Sequence, residues 1–191
     1  MRIGDNVGCF RLVRLLAQGG MGAVFEARNE QLGRRVAIKL LHASLACDPE
    51  LNRRFLSEAR VVNLISHPSL VTIHEYGTHP GGNAYIVMEF LEGQTLAQVL
   101  QARRGDSLPI SQTVRIARQV ASALVAVHDK EVVHRDLKPD NLMLVSDPEV
   151  SGGERVKVLD FGIAKVKQPA ASAARMTRAG VAMGTPGYIA P

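Results

Sequence analysis

The spacing of hydrophobic and polar residues changes along the chain, from short alternating runs to longer runs of helical period. The alternating runs predict five strands: Phe10–Leu16, Val24–Ala27, Arg35–Leu41, Leu70–Tyr76 and Ala84–Met88. Between the third and fourth strands, Asp48-Pro49-Glu50 is typical of a helix start, and helical spacing continues to about Ile65. The pattern therefore predicts a five-stranded antiparallel sheet with one long helix.

Two further helices and a strand pair are predicted in the second half. Thr95 is expected to cap a short helix and Ser111 a long one that ends near His128. Strands are predicted at Asn141–Val145 and Arg155–Asp160. If these strands pair antiparallel, Asn141 and Asp160 fall at the same end, which places an amide oxygen beside a carboxylate.

A polar octet, His134-Arg135-Asp136-Leu137-Lys138-Pro139-Asp140-Asn141, lies between two apolar runs. Such a segment is typical of a loop that a rigid scaffold holds at a site. Asp136 can accept a hydroxyl proton, Lys138 can neutralise phosphate charge, and Asn141 can offer a neutral oxygen to magnesium. A charged surface turn is the alternative, and it would be preferred for Asp136 or Lys138 taken alone.

Three glycines within Ala17-Gln18-Gly19-Gly20-Met21-Gly22 follow the first strand. Glycine allows the backbone to approach phosphate closely with its N–H groups exposed. A dinucleotide-binding fold is the alternative, but it needs a helix directly after the glycines. Because a strand is predicted there, we expect a hairpin flap over phosphates.

Lys39 and Glu58 form a predicted ion pair. Side chains alternate across a strand, so Ala37 and Lys39 share one face. Glu58 falls within the apolar stripe of the first helix, where a carboxylate needs a partner, and Lys39 is the obvious candidate. The alternative is a surface pair between Glu58 and Arg54, one turn earlier.

Composition narrows the class of protein. The 191 residues are 46% apolar and 21% charged, with a net charge of +5. Basic residues are scattered and aromatic residues few, which argues against nucleic-acid binding. The chain contains neither an apolar run of membrane-spanning length nor a signal-peptide pattern. Because Cys9 and Cys47 form no metal or redox motif, we expect a cytoplasmic protein with reduced thiols.

Three motifs together resemble the signature set of eukaryotic-type Ser/Thr protein kinases, and more narrowly their bacterial branch. They are the octet and the segments Val36-Ala37-Ile38-Lys39 and Asp160-Phe161-Gly162. The resemblance extends from about Phe10 to Pro191, with one departure, Ala17 at the first glycine position. It implies an α+β, protein-kinase-like two-lobe fold. The N-lobe is expected at 1–88, a hinge at 89–93 and a partial, mainly helical C-lobe at 94–191.

The resemblance also implies ATP and Mg²⁺ as cofactors. The residues expected to contact the nucleotide are Ala17, Gly19, Gly22, Val24, Ala37, Lys39, Met88, Glu89, Leu91 and Met143. The expected metal ligands are Asn141 and Asp160. The expected catalytic residues are Asp136, Lys138, Lys39 and Glu58.

Lys138 and Thr185 match the Ser/Thr branch, so the resemblance implies phosphoryl transfer to protein serine and threonine hydroxyls. Autophosphorylation through self-association is included in this expectation. Arg135 is expected to grip a phosphate on the activation segment, with Thr177 as the best candidate for that phosphate. An unmodified loop threonine is the alternative.

The sequence ends at the first two residues of an Ala-Pro-Glu motif, so the helices that follow in the family are expected to be absent. The alternative function is therefore a catalytically incompetent module that binds a nucleotide or a partner.

Overall fold

The computed structural model describes residues 1–20, 22–46, 48–160 and 188, apart from the side chains of Ala43, Ala46, Pro49, Arg54, Glu58 and Val61. The chain divides after Glu92 into two units, Met1–Glu92 and Gly93–Pro191. This division falls within the segment 89–93 that the sequence suggests as a hinge. The lobe boundaries themselves stay a prediction.

The first unit is built on one antiparallel sheet with the strand order β1-β2-β3-β4-β6-β5. Its strands are β1 (Asn6–Val7), β2 (Phe10–Gln18), β3 (Gly22–Asn29), β4 (Arg35–Leu41), β5 (Ile73–Thr78) and β6 (Ala84–Glu89). The predicted count of five strands is wrong, because Asn6–Val7 adds a sixth at the edge. Gly8 makes this hairpin possible, since its φ of +58° suits the tight turn that pairs Val7 with Phe10. A two-residue strand is too short to show any period.

Each face of this sheet is covered by a different set of apolar residues. On one face, Val36, Ile38 and Leu40 belong to a buried cluster with residues of β1, β2, β3 and β6. On the other face, Phe55 and Ala59 pack against sheet residues that include Leu41. The alternation along β4 therefore fixes which face receives the helix.

Two helices follow β4: a one-turn helix α1 (Ala43–Ala46), which was not predicted, and α2 (Pro49–Asn63). Asp48 Oδ1 accepts hydrogen bonds from the N–H groups of Glu50 at 2.8 Å and Leu51 at 3.2 Å. This confirms Asp48 as the N-cap and satisfies two of the free donors at the helix start.

The second unit has a three-stranded antiparallel sheet in the order β7-β8-β9. Its elements are β7 (Gly93–Thr95), α3 (Leu96–Ala102), α4 (Ile110–His128), a 3-10 turn (Pro139–Asn141), β8 (Leu142–Ser146) and β9 (Glu154–Val158). The buried side chains of α4 are Ile116, Val120, Ala123 and Val127. Within the described ranges, no helix is both long and apolar enough to cross a bilayer.

The two predicted helix caps in this unit have different outcomes. Thr95 caps α3 as predicted, and Gln98 bonds back to its N–H to complete a capping box. Ser111 is not a cap, because α4 already begins at Ile110, after an extended Pro109 that makes no side-chain cap bond. Proline presets the backbone just before the helix, so Ser111 lies inside the first turn.

Candidate active site

The glycine segment forms the tip of the β2–β3 hairpin. Gln18 and Ala23 face each other across it, and the N–H of Gly19 donates to the carbonyl of Gly22 at 2.9 Å. A strand, not a helix, follows the glycines, so the predicted hairpin is confirmed. The dinucleotide-binding alternative is excluded because it requires a helix at this place.

The three glycines differ in their surroundings. A Cβ added to Gly22 would lie 2.1 Å from the carbonyl oxygen of Leu40, whereas one added to Gly19 or Gly20 would meet nothing within 4 Å. Gly22 thus allows close strand packing, and the other two leave open space beside the backbone. His42, which belongs to no motif of the sequence, holds the tip: its Nε2 lies 2.8 Å from the Gly19 oxygen.

Four of the predicted nucleotide contacts share one face of the first sheet. In the register of β3, β4 and β6, Val24 is opposite Lys39 and Ala37 is opposite Met88. Because opposite residues and alternate residues of a strand point to the same side, all four belong to one surface. The register of β2 and β3 places Ala17 opposite Val24.

Lys39 lies on the face that α2 covers, with its Nζ 5.9 Å from the centroid of the Phe55 ring. Glu58 is on the same helix, one turn after Phe55. The side chains of Glu58 and Arg54 lie outside the described part of the chain. Both the Lys39–Glu58 pair and its alternative therefore stay predictions.

Glu89 ends β6 and is tied to the segment before β5. Its N–H donates to the Thr72 carbonyl at 2.9 Å, and the N–H of Thr72 donates to the Glu89 carboxylate at 2.7 Å. These two hydrogen bonds fix the end of β6 against the segment before β5. Leu91, the other predicted contact of the adenine edge, is half-buried.

In the second unit, two residues of the octet converge on the carboxylate of a third, Asp136. Asp136 Oδ2 lies 3.3 Å from the Lys138 ammonium and 3.3 Å from Asn141 Nδ2. The same Asn141 nitrogen donates to the Asp136 carbonyl at 2.8 Å. Both neighbours contact the same carboxylate oxygen, and they orient the carboxylate. The octet is therefore an ordered cluster and not a solvated turn.

His134 supports this cluster from the interior, with only 2% of its surface exposed. Its Nε2 is 2.9 Å from the Leu159 carbonyl, and its Nδ1 accepts from the N–H of Asp136 at 3.4 Å. Burial lowers the pKa of His134, although the Leu159 carbonyl and the charges of Asp136 and Asp160 oppose that shift. A neutral ring that donates through Nε2 and accepts at Nδ1 suits both contacts.

The predicted pairing of β8 with β9 is confirmed, and it brings Asn141 and Asp160 to one end. The strands are antiparallel with Leu142 opposite Val158, and the N–H of Leu159 donates to the Asn141 carbonyl at 2.8 Å. Met143, the predicted nucleotide contact in this unit, is the next residue of β8, opposite Lys157.

Two residues near this end have left-handed backbone angles, Arg135 with φ of +63° and Asp160 with φ of +42°. Such angles are unfavourable for residues other than glycine, and they concentrate at functional sites. Within the described residues no group of three His, Cys, Asp or Glu could hold a metal. Thr177 and Thr185 lie outside the described residues.

Comparison with known proteins agrees with this geometry. Residues 10–191 match the family model described as the protein kinase domain. Serine/threonine-protein kinase Pkn1 of Myxococcus xanthus is 46% identical over 189 residues, which cover 99% of this chain and 26% of the relative. Serine/threonine-protein kinase PknA of Mycobacterium tuberculosis is 41% identical over 195 residues, covering 100% of this chain and 42% of the relative. The chain thus spans less than half the length of these relatives.

Solved structures show the same fold. The PknI kinase domain of Mycobacterium tuberculosis aligns with a TM-score of 0.73 and 29% identity, over 92% of this chain and 67% of that one. The apo form of PpkA-294 aligns with a TM-score of 0.75 over 98% of this chain and 69% of that one. At 24% identity, the second likeness concerns the fold alone.

Proposed function

Because the chain belongs to the protein kinase family, we propose that it transfers the γ-phosphoryl group of ATP to serine and threonine hydroxyls of proteins, itself included. The observation that carries this proposal is the cluster around Asp136. A charged carboxylate, fixed by Lys138 and Asn141 above a buried histidine, is the arrangement that a general base for a hydroxyl needs.

In this proposal Asp136 accepts the proton of the substrate hydroxyl as its oxygen bonds to the γ-phosphorus of ATP. The bond from that phosphorus to the β-phosphate oxygen breaks, and ADP leaves. Lys138 has two proposed roles. In the structure its ammonium pairs with Asp136, and during transfer it would offer positive charge to the phosphoryl oxygens. His134 acts as a positioning residue, since its ring accepts a hydrogen bond from the backbone N–H of Asp136.

Asn141 and Asp160 are the proposed magnesium ligands. Their donor set fits the ion, because magnesium prefers oxygen, and donation by Asn141 Nδ2 to Asp136 leaves the amide oxygen as its acceptor atom. Magnesium bound there supplies positive charge to the phosphates.

The first unit is proposed to hold the nucleotide. The Gly19 and Gly22 backbone would accept the phosphates, with Lys39 as their cation and Glu58 as its partner. Val24, Ala37, Met88 and, in the second unit, Met143 are proposed apolar contacts of adenine, and Ala17 lies at the start of the flap. The Glu89 carbonyl and the Leu91 backbone would bind the adenine edge.

Substrate class and regulation are proposed from the family. Lys138 and Thr185 favour serine and threonine acceptors, and both relatives described above are named serine/threonine-protein kinases. Arg135 is the proposed partner of phosphorylated Thr177, with self-association as the route to that modification. A cytoplasmic location and the absence of a nucleic-acid partner stay predictions from composition.

The test is the intact mass of the purified protein before and after incubation with Mg-ATP. We expect the parent to gain phosphate and Asp136→Asn to lose about 10²- to 10⁴-fold in rate, the range typical of a general base. Asp140→Asn is the matched control, since Asp140 is an exposed acid in the same segment.

Equal rates for the parent and Asp136→Asn would overturn the role of Asp136. Binding of Mg-ATP with no phosphate gained on the protein or on an added Ser/Thr peptide would support the alternative, a nucleotide-binding module.

A further inference from the structure

Arg35, the first residue of β4, contacts both residues that flank Leu91. Its guanidinium pairs with the carboxylate of Glu92. The same group lies over the ring of Phe90, 4.5 Å from the ring centroid. One side chain thus holds the segment after β6 on each side of a predicted adenine contact.

The third contact of Arg35 is with a buried carboxylate. Glu26 of β3 has a side chain that is only 10% exposed, and its Oε1 lies 3.8 Å from Arg35 Nη1. Its other oxygen accepts from Arg14 Nε at 2.6 Å. A buried carboxylate needs positive partners, so Glu26 draws both arginines toward the sheet. The contacts form a chain from β2 through β3 and β4 to Phe90 and Glu92.

This chain of contacts lies on the side of the sheet that carries the predicted nucleotide contacts. Arg35, Ala37 and Lys39 alternate along β4 and therefore share a face. Glu26 is directly opposite Ala37 in the register of β3 and β4. The network is thus next to the surface proposed for adenine.

We infer that Arg35 is a positioning residue for adenine recognition, which fixes the backbone of Leu91 by holding Phe90 and Glu92. This inference rests on the proposed function. Its physical basis is preorganisation: a backbone segment already ordered in its binding conformation loses less entropy when the base binds. Arginine suits this role better than lysine because its planar guanidinium can stack on a ring and bind a carboxylate at the same time.

The exposure of the paired side chains sets the loss of ATP affinity that we expect. The Arg35 and Glu92 side chains are 44% and 72% exposed, so solvent screens their ion pair strongly. With the ring contact included, we expect Arg35→Ala to weaken ATP binding by about fivefold. The loss should appear as a higher KM for ATP with kcat unchanged, and the preference for ATP over GTP should fall.

The experiment measures ATP and GTP affinity, KM and kcat for the 191-residue protein and five variants. Glu92→Gln should weaken ATP binding in the same direction and add nothing in the Arg35→Ala background. Arg35→Lys should lie between the parent and Arg35→Ala. Arg11→Ala is the matched control: it removes a surface pair with Glu30, 3.2 Å long, from β2, which is two strands from Arg35 in the same sheet.

The inference is overturned if Arg35→Ala binds ATP as the parent does, if its ATP preference is unchanged, or if Arg11→Ala shows the same loss. A parent that binds no ATP would overturn the proposed function, and this inference with it. A parent that binds no ATP is thus distinguishable from Arg35 and Glu92 variants that bind ATP as the parent does.

Discussion

At the scale of single residues, Gly22 has a structural role that its place in the glycine segment does not reveal. The sequence suggests that this glycine serves phosphate approach. In the structure its α-carbon packs against the β4 backbone, where any Cβ would collide with the Leu40 carbonyl. Two neighbouring strands would then have to separate, because a backbone carbonyl cannot move aside alone.

We therefore predict that Gly22→Ala destabilises the first unit by about 1–3 kcal/mol, the usual cost of overpacking. Urea unfolding measures this loss. Gly20→Ala is the control, since a Cβ there meets nothing within 4 Å. Equal stability of the two variants would show that the strands separate without cost.

At the scale of elements, α4 protects an edge of the second sheet. Within the described residues β9 is the last strand of that sheet, and such an edge leaves N–H and C=O groups without strand partners. The Gln119 amide supplies two partners at this edge: its Nε2 donates to the Glu154 carbonyl at 3.1 Å, and its Oε1 accepts from the N–H of Val156 at 3.0 Å. The helix thereby fixes the strand that leads to Asp160.

Gln119→Ala removes these two bonds and leaves backbone groups unsatisfied beside Val156, which is fully buried. We expect a loss of about 1–3 kcal/mol in the free energy of unfolding, measured by urea denaturation. Gln112→Ala is the control, because the Gln112 amide reaches only the Glu154 side chain, at 2.9 Å.

The Gln112→Ala loss should be smaller, about 0.5 kcal/mol, because the half-buried Glu154 carboxylate can accept from water in place of the lost amide. If both glutamine variants lose equal stability, the Gln119 amide does not act as a strand partner.

At the scale of the whole molecule, stability should depend on pH through His134. Burial lowers the pKa of its ring below the ordinary 6.5. As pH falls through 6.5, the unfolded chain binds a proton that the folded protein does not yet accept. The contribution is therefore complete above pH 6.5 and is lost as pH falls toward the folded-state pKa.

The direct measurement is an NMR titration of the His134 ring in the folded protein, with unfolding free energies on both sides of pH 6.5. We expect the ring to protonate below that value and stability to decline in the same range. His74, whose pKa is also lowered by burial, contributes in the same direction, so His74→Gln isolates the slope due to His134. A His134 ring that protonates above 6.5 would contradict this account.

Much of the fold and of the octet could be predicted because the signals are local. The antiparallel pairing of β8 with β9 followed from two short apolar runs, and it placed Asn141 near Asp160. The octet gathered Asp136, Lys138 and Asn141 within six consecutive positions, so a single turn could bring them together. Asp48 and Thr95 were recognisable as caps because a capping side chain bonds to residues two or three positions away.

The sequence by itself determined the longer strands and helices, the caps Asp48 and Thr95 and the chemistry of the octet, because period and local hydrogen bonding involve neighbouring residues. The tertiary structure decided what depends on distant partners. Arg35 and Glu92 are 57 positions apart, and Gln119 and Val156 are 37 apart, so no local pattern could pair them. The edge strand Asn6–Val7 and the start of α4 at Ile110 were likewise set by packing and backbone geometry, which outweigh local preference when an element is short or its cap is a proline.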